Sequence, residues 1–171
     1  MENEIKLLNI DATSVCKALE AIGATKVFDG VRTITHFDTP ERQYKKEGTQ
    51  IKVTKEGSIK LTITSGVGTQ NVHEVKTKTG DAMYSLLTML HLEPISRVDA
   101  HRISYELEDI DFDIDCFPGI PPFLEIDIAS VANLEKLLEE VGMTEYERVV
   151  MGTPEVFARY GKDYFEEYSV D

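Results

Sequence analysis

Charged side chains recur at every second position in several short stretches of this chain. The segment MENEIKL sets Glu2, Glu4 and Lys6 on one side of a strand, with Asn3, Ile5 and Leu7 on the other. IDFDIDC sets Asp111, Asp113 and Asp115 against Ile110, Phe112, Ile114 and Cys116. FLEIDI sets Glu125 and Asp127 against Leu124, Ile126 and Ile128, and HRISYEL sets Arg102, Ser104 and Glu106 against Ile103, Tyr105 and Leu107. Strict alternation means a strand with one dry face and one polar face. Acids and bases gathered on such a face are either a solvated edge or the wall of a charged site, and the residues alone leave both readings open.

Two more stretches alternate in the same way. QIKVT places Ile51 and Val53 opposite Gln50, Lys52 and Thr54, and SIKLTIT places Ile59, Leu61 and Ile63 opposite Lys60, Thr62 and Thr64. The four histidines, His36, His73, His91 and His101, have no zinc-ligand spacing, so surface or packing roles are expected for them. There is no nucleophile elbow, P-loop or dinucleotide-binding glycine pattern.

The elements that position these strands are amphipathic helices. Val15, Ala18, Leu19 and Ile22 follow helical spacing after a capping Asp11 and before Gly23. Met83, Leu86, Leu87 and Leu90 form a second stripe with Asp81 as cap; Leu134, Leu137, Leu138 and Val141 form a third between Ser130 and Gly142. Each helix is expected to lay one apolar face on the outside of a sheet. A short fourth helix is expected to begin at Pro154 after a Thr153 cap, with Phe157, Tyr160, Tyr164 and Phe165 packing on the sheet. A plan of charged strand, helix and turn recurs three times, led by Glu4-Ile5-Lys6, Glu74-Val75-Lys76 and Glu125-Ile126-Asp127.

With 171 residues, 42% hydrophobic and 29% charged, the chain suits one globular domain spanning 1–171. A net charge of -13 argues against nonspecific binding to nucleic acid or anionic membrane. No apolar run is long enough to span a membrane, and no leader is evident. Cys16 and Cys116 are expected to be buried free thiols in a reducing compartment, which points to the cytoplasm. Alternating strands and one-faced helices give an α+β fold. The sheet is either open, with water on its polar face, or curled into a barrel with charge inside.

The order of the motifs resembles one family. Glu2-x-Glu4-x-Lys6 is similar to the ExExK signature of the CYTH superfamily, the triphosphate tunnel metalloenzymes, which include class IV adenylate cyclases and thiamine triphosphatases. His36-Phe37-Asp38-Thr39-Pro40 resembles that family's FDTP turn. Gln50 to Thr54 stands at its LRIR-like strand, Leu61 to Thr64 at its TLK strand, and Phe123 to Asp127 at its FLEIE strand. The resemblance covers nearly the whole chain and is strongest to short class IV cyclase-like proteins. It implies a closed eight-stranded antiparallel β-barrel with helices packed outside. Its interior would hold a triphosphate through Lys6, Lys52 and Arg102, and Mg²⁺ or Mn²⁺ through Glu2, Glu4, Asp115, Glu125 and Asp127. Such ions prefer carboxylate and phosphate oxygens, and Lys and Arg supply the countercharge.

For function, the resemblance implies metal-dependent processing of a triphosphate compound, as a triphosphatase or a class IV adenylate cyclase-like enzyme. The substrate is expected to be a nucleotide, thiamine triphosphate or tripolyphosphate, and a homodimer is allowed. The resemblance assigns no catalytic base. Thr54, Thr64 and Ala100 stand where the family has basic residues. Those replacements support an alternative, a non-catalytic module that binds phosphate, nucleotide or metal on the same scaffold.

Overall fold

A computed structural model describes residues 3–65, 71–128 and 134–170. In chain order the elements are β1 (Asn3–Leu8), α1 (Ala12–Ala21), β2 (Thr25–Asp38), α2 (Gln43–Lys46), β3 (Gln50–Glu56), β4 (Ser58–Ser65), β5 (Asn71–Thr77) and α3 (Gly80–Met89). They continue as β6 (Glu93–Leu107), β7 (Ile110–Cys116), β8 (Phe123–Ile128), α4 (Leu134–Glu140), β9 (Glu147–Val149), α5 (Thr153–Arg159) and α6 (Tyr164–Glu167).

The fold is α+β, as expected, but the barrel is not. One nine-stranded sheet runs in the order β5-β4-β3-β2-β6-β7-β8-β1-β9, and every pairing in register is antiparallel. The ninth strand is the three-residue β9, which pairs with β1 and has no counterpart in the eight-stranded expectation. The terminal strands β5 and β9 do not pair with each other, so the sheet stays open. A strand of three residues offers too short a ladder to complete a closed wall.

The chain gathers into two compact units. The first comprises Met1–Val31 with Ala100–Gly161, and the second Arg32–Asp99 with Lys162–Asp171. In the first, the apolar face of β1, β6, β7 and β8 presents Ile5, Leu7, Tyr105, Phe112, Ile114, Leu124 and Ile126 to helices α1 and α4, which bury Val15, Leu19, Leu134, Leu137 and Leu138. The α1 cap is as expected: Asp11 accepts from the Ser14 amide at 2.7 Å, and Gly23 at φ 87° takes the left-handed position after the helix. Ser130, expected to precede α4, lies outside the described residues. Cys16 and Cys116 are free thiols but only partly buried, at the margin of this core.

In the second unit, Phe37, Ile51 and Val53 pack against Met83, Leu87 and Leu92. The α3 stripe is narrower than its sequence implies. Met83 and Leu87 are buried, while Leu86 and Leu90 are 57% and 68% exposed. Thr79 takes the N-cap position without a side-chain hydrogen bond to the helix, and Asp81 falls inside the first turn. Likewise Gly152, not Thr153, precedes α5, with Pro154 in the first turn as expected. The expected fourth helix is in fact two, α5 and α6, broken by Gly161 at φ 71°. Phe157 and Tyr164 are buried as packing residues, and the Tyr160 hydroxyl donates to Asn9 Oδ1 at 2.9 Å. No helix among the described residues is long and apolar enough to cross a membrane.

Candidate functional site

In the first unit, cross-strand register brings the charged residues of four strands onto one face. Arg102 stands opposite Asp115, Ser104 opposite Asp113, Asp113 opposite Glu125, Glu125 opposite Lys6, and Asp127 opposite both Asp111 and Glu4. Glu4, Lys6, Arg102, Asp115, Glu125 and Asp127 are therefore assembled, as the alternation requires. Glu2 lies outside the described residues.

Arg102 is the hub of this face. Its Nε donates to Asp115 Oδ1 at 2.7 Å and its Nη2 to Asp115 Oδ2 at 2.5 Å, a bidentate fork. Its Nη1 pairs with Asp113, whose other oxygen accepts from the Ser104 hydroxyl at 2.5 Å. Burial opposes the charge of Arg102, yet Asp115, Asp113 and Glu125 together hold its pKa above the ordinary value. The reverse holds for Asp113: burial pushes its carboxyl up, aided by Glu125 and Asp115, and the pull of Arg102 and Ser104 only partly offsets this. The Lys6 ammonium is 1% exposed and contacts Glu4 and Glu125, the latter at 3.2 Å.

An aromatic group borders these charges. Phe123 stands opposite Asp115, stacks on Phe117 at 5.9 Å between ring centres, and Phe117 meets Phe157 edge-on at 5.6 Å. These rings exclude water from one flank and so strengthen the ion pairs beside them. Asp113 and Ser104 are the residues that the family likeness did not single out. Their signal was the alternation itself, which put both on the face of Arg102 and Asp115.

The second unit carries another polar face. His36 stands opposite Lys52, Lys52 opposite Thr62, Thr54 opposite Lys60, Lys60 opposite Lys76, and Thr62 opposite Glu74. Lys60 pairs with Glu74 at 2.9 Å, and Arg32 with Glu56 at 3.5 Å. Burial would raise the Glu74 pKa, but hydrogen bonding and charge from Lys60 lower it on balance. With Asp38 at the end of β2 counted, Arg32, Lys52, Lys60 and Lys76 outnumber Asp38, Glu56 and Glu74 by one. His36 is buried, bonds Ser96 Oγ through Nδ1 at 3.1 Å, and lies edge-on to Tyr164 and Phe165. Burial first, and the Lys52 charge second, lower its pKa to about 3, so the ring is neutral and structural. Thr54, which replaces an expected base, is 1% exposed, and its buried Oγ1 has no hydrogen-bond partner among the described residues. Ala100, at another such position, is also 1% exposed.

The turn that ends β2 is held by one side chain. Asp38 is 1% exposed; its Oδ1 accepts from the amides of Thr39 at 2.7 Å and Tyr44 at 3.0 Å, and its Oδ2 from that of Lys45 at 2.9 Å. The carboxylate replaces backbone partners that a turn cannot supply.

A Mg²⁺ or Mn²⁺ site needs several oxygens around one point. Among the described residues no three His, Cys, Asp or Glu side chains converge in that way. Both Asp115 oxygens face Arg102, and Lys6 pairs with both Glu4 and Glu125. As arranged, the donor set fits pairing with these two side-chain cations and does not fit a preassembled metal site.

No family model matches the chain, and no curated protein matches it. Solved structures do. A candidate adenylate cyclase from Vibrio parahaemolyticus superposes with a TM-score of 0.77 at 16% identity, covering 92% of this chain and 97% of that one. HpAC1 from Hippeastrum, a candidate adenylyl cyclase with a dominant triphosphatase activity, gives 0.67 at 16% identity over 98% and 100%. PH1819 from Pyrococcus horikoshii gives 0.67 at 18% identity over 94% and 99%. The fold is shared with these proteins along nearly the whole of each chain.

Proposed function

We propose that the protein acts on a triphosphate compound, with hydrolysis of its terminal phosphoryl group as the reaction. Water attacks the terminal phosphorus, the bond to the bridging oxygen breaks, and inorganic phosphate leaves. The observation that carries this reading is the excess of cations on the polar face of β2 to β5. Arg32, Lys52, Lys60 and Lys76 outnumber Asp38, Glu56 and Glu74 there by one, in a chain of net charge -13. A local basic face on an acidic protein attracts anions by its own field. The fold shared with HpAC1 supports a triphosphatase in particular.

Lys52 would bind phosphate oxygens as a point charge. Divalent metal would arrive with the substrate, as a metal–triphosphate complex whose lowered charge tolerates the nearby acids.

A second reading, a binding module without turnover, is favoured by the buried Thr54 and Ala100, which add no charge where cations are expected. Thermal unfolding with tripolyphosphate, ATP and thiamine triphosphate, each with and without Mg²⁺ or Mn²⁺, tests both. Saturating ligand at 100 times Kd stabilises by about 2.7 kcal/mol, a rise of roughly 5–10 °C for a domain of this size. The rise is expected with metal plus triphosphate and is reduced by Lys52→Ala. Phosphate release then distinguishes the readings: turnover supports the enzyme, and binding without release supports the module. No shift with any of the ligands refutes both.

A further inference from the structure

Beyond the turn that ends β2, the second unit carries a cavity of about 290 Å³. It is lined by Arg42 and Lys45 of the α2 segment, Ile95 of β6, and Phe165, Glu166 and Ser169 near the C-terminus. None of these is among the charged residues of the β2 to β5 face.

The walls of the cavity are fixed by the chain itself. Asp38 holds the amides of Tyr44 and Lys45. Asp163 Oδ1 accepts from the amides of Phe165 at 2.8 Å and Glu166 at 3.0 Å. The last residues are tied to β6: the Arg97 amide donates to the Tyr168 carbonyl at 2.8 Å and the Val170 amide to the Ile95 carbonyl at 3.4 Å, with Ser96 opposite Ser169. The Phe165 ring is held edge-on against His36 at 5.2 Å between ring centres. A lining that is already ordered spares a ligand the cost of ordering it.

The charges of the lining select the ligand. Arg42 faces Glu93 at 3.5 Å, so its charge is already balanced. Lys45 Nζ lies 4.5 Å from the centre of the Phe165 ring and has no carboxylate partner among the described residues. The Glu166 carboxylate likewise has no cation partner among them. Two charges of opposite sign thus line one cavity without pairing with each other. An anion would be drawn by Lys45 and repelled by Glu166, and a cation the reverse; a short zwitterion satisfies both. The Ser169 hydroxyl can accept from an ammonium group, and Phe165 and Ile95 offer an apolar wall. The volume is at the small end of ligand pockets. We propose that this cavity binds an α-amino acid with an apolar side chain, its carboxylate on Lys45, its ammonium on Glu166 and Ser169, and its side chain against Phe165 and Ile95. This does not depend on the triphosphate reading.

Titration of the isotope-labelled full chain with L-phenylalanine and with L-leucine, followed by NMR, tests it. Saturable shifts are expected at the amides of Lys45, Phe165, Glu166 and Ser169, with a Kd of about 1 mM or tighter. Phenylpropionate lacks the ammonium and phenethylamine lacks the carboxylate; each should bind about 10-fold more weakly than L-phenylalanine, for want of one charge-assisted contact. Lys45→Met and Glu166→Gln, both at exposed positions, should each weaken L-phenylalanine by a similar factor, with circular dichroism confirming the fold. Glu166→Gln should at the same time tighten phenylpropionate, because the repulsion is gone. The proposal is overturned if neither amino acid gives saturable shifts, or if the shifts fall only on other residues. It is also overturned if either fragment binds as tightly as L-phenylalanine, or if both variants leave the affinities unchanged.

Discussion

Arg102→Met is the perturbation with the best-defined expected cost. Arg102 is 5% exposed and Asp115 0%, and the fork between them is the most enclosed charge pair on the strand face. Methionine keeps most of the volume and removes the cation, which leaves Asp115 buried without its guanidinium partner and Asp113 with Ser104. Breaking one side of a buried pair costs about 3–5 kcal/mol. For a domain of this length that lowers the thermal midpoint by roughly 8–15 °C. Calorimetry at several pH values checks the cause as well as the size. In the variant Asp113, already held high by burial, loses the Arg102 charge that partly offsets it, so its folded pKa rises further. A group with a raised folded pKa stabilises below its unfolded value and loses that contribution as pH rises through the folded one. The deficit against wild type should therefore be largest at neutral pH and shrink on acidification. Adding Asp115→Leu to Arg102→Met should recover much of the loss, since a packed apolar pair avoids the stranded charge. A deficit under about 1 kcal/mol, or one independent of pH, would mean that water reaches the pair and would refute the reasoning.

Three further outcomes are expected. Asp38→Ala removes the acceptor for three amides and should cost about 2–4 kcal/mol by denaturant titration, whereas Asp38→Asn, which keeps one acceptor oxygen, should cost less. Thr54→Val replaces a buried hydroxyl with no partner by a methyl group of similar shape, so stability should be unchanged or higher by up to about 1 kcal/mol in the same assay. His36 binds its proton in the unfolded chain near pH 6.5 and in the folded chain only near 3. Stability should fall by up to about 1.4 kcal/mol per pH unit as pH drops between those values, and a His36→Gln variant should lose that component of the slope.

The charged face was legible because period-two alternation is set by backbone geometry. Arg102, Asp115, Glu125, Lys6 and Glu4 could share a side only if their strands were neighbours, and the order of the motifs supplied that adjacency. Closure was not legible. Alternation looks the same in an open sheet and a barrel, and the short β9 has only Val149 to mark it as a buried strand position. Helical spacing also overstated α3, because Leu86 and Leu90 satisfy the pattern whether the flank beyond the core is covered or bare. The polar partners were the least predictable. Whether Asp113 pairs with Arg102, or Thr54 with nothing, depends on a few tenths of an ångström that residue types do not encode.

The fork between Arg102 and Asp115 has one more consequence, for how the chain finds its pairing. β6 and β7 join through Glu108 and Asp109, with Glu108 at φ 52° and Leu107 opposite Ile110. Sliding one strand past the other by a single residue would turn its whole side-chain set over. Asp115 would then enter the hydrocarbon layer now filled by Ile114 and Tyr105, away from Arg102. A slipped hairpin of apolar and neutral residues would lose only packing, but here it would also strand a buried ion. The pair thus acts as a key that favours one alignment of the hairpin.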